Sequence, residues 1–593
     1  MLLRRCLTRK KKLFPMKPRY YLPYFAALMT AAASAQEPVV QVEEVAVEAA
    51  SGTTETQTLK TITVYGESEN DSVVQNPFLL PVEGTKIFAG KRATMIDLDA
   101  QPKIQANNYR QALALTPGLL FSEETTPLVS LGYRGIGEPH RMQFIQVMKD
   151  GIPIHADPFG YPEAYYTPPL DVVDRIEFVR GGSSLMYGAQ PAGALNYITY
   201  MPDRNTPFSF RTQNVFGSDN LFLNYTAATG TLGNVGYYGY FNHRESEGFR
   251  QANSDYSLNG GHIKFAYEVD PDTRWILALD GYEEQHGEPG GLSAQDFARN
   301  PDKTTRFNDE FRLRRYAASL ELQHSISAAT ELSIKTWAAY YDRWSRRQNG
   351  GGFGTVPTGA TTSIDRQEFY NWGFEPRIRH DWQAWGGEHS LAAGMQFYYN
   401  HSPREDQRGS SPDAEEGVTY LKSERNLTYG SFFVENKFTF GRLSITPGFR
   451  MELINQDVTT QNFDPNSGDP TTGRGKSKFD PQPLFGLGIA YDLDHETQLY
   501  ANVSQSYRTT IFTESLVVPT NTDPFTTDAD PNSGWSYEIG YRGQPKSWIN
   551  WDTSLFLIDL DNKFGGTVAS GGTVQLKNVG RTVNYGWDGA FQF

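Results

Sequence analysis

The stretch Trp535-Ser536-Tyr537-Glu538-Ile539-Gly540-Tyr541-Arg542 decides the fold. Its large apolar side chains fall on every second residue, with small or polar ones between. An extended backbone turns the two sets to opposite sides of a sheet, and in a barrel one set meets lipid while the other faces a lumen. The same alternation runs through Leu499, Ala501 and Val503 against Gln498, Asn502 and Ser504, and along 443–446 and 449–452. From about Pro207 onward, strands of roughly ten residues recur. Short connections at 229–234, 270–273, 327–330, 383–388, 441–442, 492–496 and 543–547 alternate with long ones. The long ones lie at 243–255, 285–311, 346–365, 402–424, 455–477, 508–534 and 562–581. An outer-membrane barrel requires this rhythm, with tight periplasmic turns and long outer loops. A soluble propeller or sandwich has no reason to gather every long connection at one end.

Composition agrees. The chain has 593 residues, including 36 Phe, 33 Tyr, 10 Trp and 55 Gly, a mixture suited to strands and turns. Mean hydropathy is −0.52, and no stretch approaches the roughly 18 apolar residues of a spanning helix. Residues 1–35 read as a secretory signal: Lys10, Lys11, Lys12, Lys17 and Arg19 precede an apolar run at 20–29, and Ala33-Ser34-Ala35 offers a cleavage site. Met16 is an alternative start. Cleavage after Ala35 removes eight of the 54 Lys/Arg and none of the 68 Asp/Glu, leaving a net charge of −22. It also removes Cys6, the only cysteine, and with it thiolate chemistry, disulfides and zinc–thiolate sites. The acidic balance argues against nucleic acid as a partner.

Residues 36–85 form an arm without sustained periodicity, interrupted by the β-prone string Thr61-Ile62-Thr63-Val64-Tyr65. Residues 86–203 differ from everything after them. A helix is expected over 107–115, ending at Thr116-Pro117-Gly118, with strands at 144–148 and 176–179 and turns at Asp150-Gly151 and Gly181-Gly182. This is a small α+β domain, and residues 204–593 are the barrel.

Five short runs in this domain, in order, are specific: Tyr133-Arg134-Gly135, Lys149-Asp150-Gly151-Ile152-Pro153, Arg175-Ile176-Glu177-Phe178-Val179-Arg180-Gly181, Ser184-Leu185-Met186-Tyr187-Gly188 and Gly193-Ala194-Leu195-Asn196-Tyr197-Ile198. They resemble the plug of TonB-dependent outer-membrane receptors. The spacing of Arg134-Gly135, Pro139, Arg141 and Asp150-Gly151-Ile152-Pro153, and the run Pro158-Phe159-Gly160-Tyr161-Pro162-Glu163, are similar to the ferric dicitrate branch. The resemblance implies an all-β transmembrane barrel around an α+β plug. It also implies import of a ferric chelate energised by TonB and its inner-membrane motor, with the chelate as cargo, no cofactor, no resident metal and no enzymatic step. Thr61–Tyr65 sits where the family carries its TonB box. Residues 36–60 are too few for the extra periplasmic signalling domain of some members.

The resemblance also points to interior charges. Arg134, Glu177, Arg180 and Glu538 are candidates for a lock in which the two plug arginines meet acids of the wall. Ligand candidates are His140 and Arg141 on one plug loop, and Tyr161, Glu163, Tyr165 and Tyr166 on the next. On the barrel, Arg343, Arg346 and Arg347 lead into a glycine-rich loop. Arginine binds planar carboxylates bidentately, so this group suits an anionic ferric carboxylate chelate. Another cargo (cobalamin, a sugar, another metal complex) fits the family equally, and a passive porin or adhesin barrel is the reading from another class.

Several imitations fail. Gly84 to Arg92 looks like a phosphate loop, but has five residues between its glycines and Arg92 where Ser or Thr belongs. Asp464-Pro465-Asn466-Ser467-Gly468 and Asp530-Pro531-Asn532-Ser533-Gly534 hint at calcium loops but lack the distal bidentate acid, so they read as turns. Finally, period-two counting gives about sixteen strands, whereas enclosing a plug takes about 22. The expectation is a barrel truncated at its C-terminal end, with a seam between its first and last strands.

Overall fold

The computed structural model describes residues 77–99, 104, 107–123, 128–137, 144–156, 166–181, 185–188, 190–510, 530–568 and 574–593. The chain divides into Met1–Tyr65 and Gly66–Phe593, and all the described residues belong to the second unit. The signal peptide and the string Thr61–Tyr65 lie outside the described residues.

The plug carries β1 (Val82–Glu83), β2 (Lys86–Ile87), β3 (Ala93–Asp97), α1 (Tyr109–Leu113), β4 (Leu119–Glu123) and β5 (Val129–Tyr133). It continues with β6 (Gln146–Lys149), β7 (Ile152–Pro153), β8 (Val173–Arg180) and β9 (Gly193–Thr199). Its main sheet has the order β3-β8-β9-β6-β7, with β6 parallel to β9 and every other pair antiparallel. Tyr109, Leu131, Val147, Phe178 and Leu195 are buried in its core. The helix is shorter than expected. Asn108 caps it by accepting from the Gln111 amide at 3.0 Å, and it stops ahead of Pro117, since the residue before a proline is driven out of the helical region. Asp150 and Gly151 both have positive φ (51° and 78°), as an Asp-Gly hairpin turn requires.

The wall is one antiparallel sheet of sixteen strands in chain order. They are β10 (Ser209–Phe216), β11 (Phe222–Leu232), β12 (Val235–Ser246), β13 (Tyr256–Asp270), β14 (Thr273–Gly287), β15 (Glu310–Ser327), β16 (Thr330–Gln348) and β17 (Thr362–Ala384). The rest are β18 (Gly387–Gly409), β19 (Val418–Phe440), β20 (Leu443–Phe463), β21 (Pro470–Asp492), β22 (Thr497–Arg508), β23 (Asn532–Lys546), β24 (Ile549–Val568) and β25 (Val574–Gln592). A short helix, α2 (Ala294–Arg299), lies between β14 and β15. Among the described residues no ladder joins β10 to β25, so the sheet has two outer edges.

The alternation reads through into burial. On β23, Ser536 and Glu538 are buried while Trp535, Tyr537 and Ile539 are exposed. Several long loops prove to be strand. β17, β18, β19 and β21 each run 23 residues, roughly 75 Å at about 3.3 Å per residue, against a hydrocarbon core of about 30 Å. The connection expected over 402–424 shrinks to residues 410–417. Outside the bilayer both faces of a hairpin can be polar, so pairing continues where the hydrophobic alternation has stopped. The turn at Asp464 is an ordinary one, its carboxylate accepting from the amides of Asn466 and Ser467.

The plug backbone packs tightly on the wall at Gly90, whose φ is +72° and where an added Cβ would lie 2.6 Å from the Gly488 backbone on β21. The Gly84-to-Arg92 segment is thus a close-contact turn. Gly90→Val is expected to loosen the plug by about 2 kcal/mol or more, read as faster proteolysis of the plug in purified protein. Gly84→Ala, also at positive φ but with nothing within 4 Å, should have the smaller effect.

Candidate functional site

The wall meets the plug through charge and through the plug's backbone. Arg134 stands at a hairpin tip with φ +51°, where Tyr133 and Ile136 exchange backbone hydrogen bonds. From there its Nη2 donates to Glu538 at 2.6 Å and its Nε to Asp588 at 3.0 Å. Arg180, at the end of β8, lies 3.4 Å from Asp552. Arg92, wholly buried beside β3, donates to Asp552 at 2.9 Å, pairs with Asp588, and reaches Glu538 at 3.5 Å. Neighbouring Lys91 holds Glu435 of β19 at 2.6 and 2.7 Å. Burial alone would pull the Arg92 guanidinium down, but Asp552 and its neighbours hold it well above its ordinary range. Glu177 faces the other way: it is bound within the plug by Arg175 at 2.9 Å and Lys86 at 3.5 Å, and reaches no wall residue in these contacts.

A second set of contacts holds the opposite edge of the plug sheet. Lys149 pairs with Asp280 of β14, with His262 of β13 alongside at 3.4 Å. Asp150 lies 3.2 Å from Lys264. Burial raises this carboxyl, but Lys264, Lys149 and the Thr199 hydrogen bonds outweigh it and bring it down to about 2. The wall then grips backbone: Lys335 donates to the Asp150 carbonyl, Tyr341 to Ile154, and Asn371 and Asn400 to Ala156. Arg450 and Arg377 donate to the carbonyls of Leu185 and Met186.

Of the ligand candidates, His140, Arg141, Tyr161, Glu163 and Tyr165 lie outside the described residues. Tyr166 is buried, its ring 5.2 Å from Tyr282 and 4.4 Å beneath the Arg315 guanidinium. The three arginines of β16 do not form one group, because adjacent strand residues point to opposite faces. Arg343 and Arg347 share the register of buried Tyr341 and Ser345 and face inward. Arg346 faces outward, bonded to Glu310 at 2.8 Å and lying over Trp344. The inward pair is already engaged, Arg343 with Asp365 at 2.7 Å and Arg347 with Glu288 at 3.0 Å. Asp365 continues to Arg404, and Arg404 to Asp406, in a ladder of alternating charge across the upper wall.

Sequence reasoning missed Lys91, Arg92, Glu435, Asp552 and Asp588. A signal existed for the wall acids: each sits on the inward register of its strand, where a charge in the shadow of a plug demands a partner. For Lys91 and Arg92 the phosphate-loop comparison drew attention to the right residues and the wrong chemistry.

Breaking a buried pair by removing one partner costs about 3–5 kcal/mol. Arg92→Met should therefore lower the denaturant resistance of the plug strongly. Arg110→Met, which removes the exposed pair with Glu123, should shift it by under about 1 kcal/mol. His155 supplies a pH test. It is buried, neither ring nitrogen has a partner among the described residues, and burial pushes it down to about 4 from 6.5. Between those values the unfolded plug binds the extra proton. Plug stability should therefore fall by roughly 3 kcal/mol as pH drops through this window, and His155→Phe should remove that part of the slope.

Residues 164–593 match the family described as TonB dependent receptor-like, beta-barrel, and residues 89–195 match the TonB-dependent receptor plug domain. A curated relative, the ferric-pyoverdine 358 receptor of Pseudomonas putida, is 22% identical over 505 residues, covering 77% of this chain and 57% of the relative. The chain thus spans less than two thirds of that protein's length. Among solved structures, the ferric citrate transporter FecA in its unliganded form is similar in fold, with a TM-score of 0.69, 21% identity, and coverage of 85% of this chain and 74% of that one. So is the copper transporter OprC, with a TM-score of 0.65, 13% identity, and coverage of 84% and 76%. With the barrel family matched over well more than half its length and a plug held within that wall, this chain belongs to the TonB-dependent receptor family.

Proposed function

We propose that this chain is an active importer of a ferric chelate across the outer membrane, energised through TonB by the inner-membrane proton gradient. The observation that carries the reading is the character of the plug–wall contact. A domain filling a lumen and fastened by Arg92, Arg134 and Arg180 to Glu538, Asp552 and Asp588 is held in one register by charge, on top of the apolar contacts it shares with the wall. A passive pore has no use for it. The periplasm has no ATP, so displacement must come from a partner that pulls. The string Thr61–Tyr65 is our candidate handle: an extended segment adds to an exposed sheet edge, with main-chain hydrogen bonds giving affinity. The aromatic outward face of the wall, with Trp535, Tyr537 and Ile539, suits lipid.

A ferric chelate is favoured as cargo by the relatives, whose names include a ferric-pyoverdine receptor and a ferric citrate transporter. The ligand face we assign comprises His140, Arg141, Tyr161, Glu163, Tyr165 and Tyr166 of the plug, with Arg343 and Arg347 on the wall. Arg134, Arg180 and Glu538 are assigned to the lock. Protein atoms need not touch the iron, because a chelate arrives already coordinated.

Two outcomes test this. Ile62→Pro should abolish uptake and leave ligand binding intact, because proline removes a donor from the added strand; normal transport by this variant would sink the handle. For cargo, Arg343→Gln with Arg347→Gln should weaken binding of ferric dicitrate about tenfold and flatten its salt dependence. Arg346→Gln, on the outward face, should not. Equal effects of all three, or none, would remove the arginines from the ligand face.

A further inference from the structure

The outer end of the wall holds a cavity of about 390 Å³, lined by Glu288, Arg306, Asp309, Arg347, Asn349 and Gly350 among others, of which the proposed chelate face uses Arg347 alone. Its place follows from strand register. Glu288 continues the inward set of β14 above Glu284 and His286, Asp309 that of β15 above Phe311, and Arg347 that of β16. The cavity therefore opens toward the mouth.

It is also rigidly built. Arg347 places two bonds on the Glu288 carboxylate, at 3.2 and 3.0 Å. Asp309 accepts from the Gln348 amide at 2.8 Å. Arg306 donates to the carbonyls of Gly350 and Gly352. Asn253, from the loop at residues 247–255, donates to the carbonyls of Glu288, Arg306 and Asp309, and Arg250 to those of Lys303 and Gly290. Three successive outer loops are thereby tied into one platform. At its edge Phe353 is 77% exposed, its ring lying against Gly291, where any Cβ would collide with it.

The chemistry is that of a neutral, hydroxyl-rich ligand. Two carboxylates and two guanidiniums line the cavity, so its formal charge is zero and neither an anion nor a cation gains net attraction. Planar acceptors and donors alternate, and a hydroxyl both donates and accepts. A bare aromatic face beside them matches the C–H face of a pyranose ring. We propose that this cavity is a saccharide-binding site that shares only Arg347 with the proposed chelate face. The glycan is either a free oligosaccharide or the sugar portion of a surface lipopolysaccharide.

The test uses the full chain purified in a detergent without sugar, lauryldimethylamine oxide. The probes are an array of neutral oligosaccharides and isolated lipopolysaccharide core oligosaccharide. Saturable, salt-insensitive binding is expected, weakened about tenfold or more by Phe353→Ala and by Asp309→Asn. Phe353 is exposed, so its variant tests the site even if Asp309→Asn disturbs the platform. Phe249→Ala, at another exposed ring, should leave binding intact. Binding confined to the core oligosaccharide identifies the surface glycan as the source, and binding confined to the array identifies a free sugar. Absence of binding from both, or binding that Phe353→Ala leaves unchanged, overturns the proposal. Because no iron is present, that failure would leave the chelate reading untouched.

Discussion

A charge taken out of water must find a counter-charge, and the plug's seating turns on that constraint. Arg92, Arg134 and Arg180 enter a space from which water is nearly excluded, and the wall supplies Glu538, Asp552 and Asp588. Such a pair contributes little net stability compared with an apolar contact of the same shape, because desolvation offsets most of the attraction. What it contributes is register. A plug rotated or raised by one residue would leave three arginines facing the wrong groups, at several kcal/mol each. The charges therefore specify the seat, and the apolar contacts that plug and wall share supply the adhesion.

The opposite edge of the plug adds a second device to its own charge pairs, Lys149 with Asp280 and Asp150 with Lys264. There the wall's Tyr341, Asn371 and Asn400 reach backbone carbonyls of residues 154–156, and Arg377 and Arg450 reach those of 185–186. Main-chain acceptors in an irregular segment have no sheet partner of their own and would be costly if left unmet in the lumen. The wall completes them. Plug loops can then be irregular inside the barrel because the barrel, rather than the plug, finishes their hydrogen bonding.

How much of this was legible depends on the range of the interaction. Period-two alternation is local, so the strands around 499–504 and 535–542 and the order of sixteen strands could be read directly. The Asp150-Gly151 turn is likewise a two-residue matter. The 23-residue strands were not legible at their outer ends, because beyond the bilayer neither face needs to be apolar and the signal fades while pairing persists. Long-range pairing was invisible. Nothing near Arg92 announces Asp552, 460 residues away, and Glu177 stands in the same run as Arg180 yet faces its own domain. The grouping of Arg343, Arg346 and Arg347 was an avoidable error, since alternation alone places Arg346 on the other face from its two companions.

The same alternation limits what the fold says about cargo. A wall and plug of this shape occur in a ferric citrate transporter and a copper transporter alike, so the fold alone does not name a cargo, and the proposed ligand face rests on the side chains of the mouth. There Arg343, Asp365, Arg404 and Asp406 neutralise one another along the inner face. A ligand carboxylate approaching Arg343 does not meet a free cation. It must share or displace Asp365, losing one charge-assisted bond for each that it forms. The balance then rests on geometry: how many donors a rigid anion can reach at once, and whether the displaced carboxylate still has Arg404. On the proposed import reading, a mouth lined this way selects by the shape in which charge is presented, and net charge alone gives a ligand little hold on it.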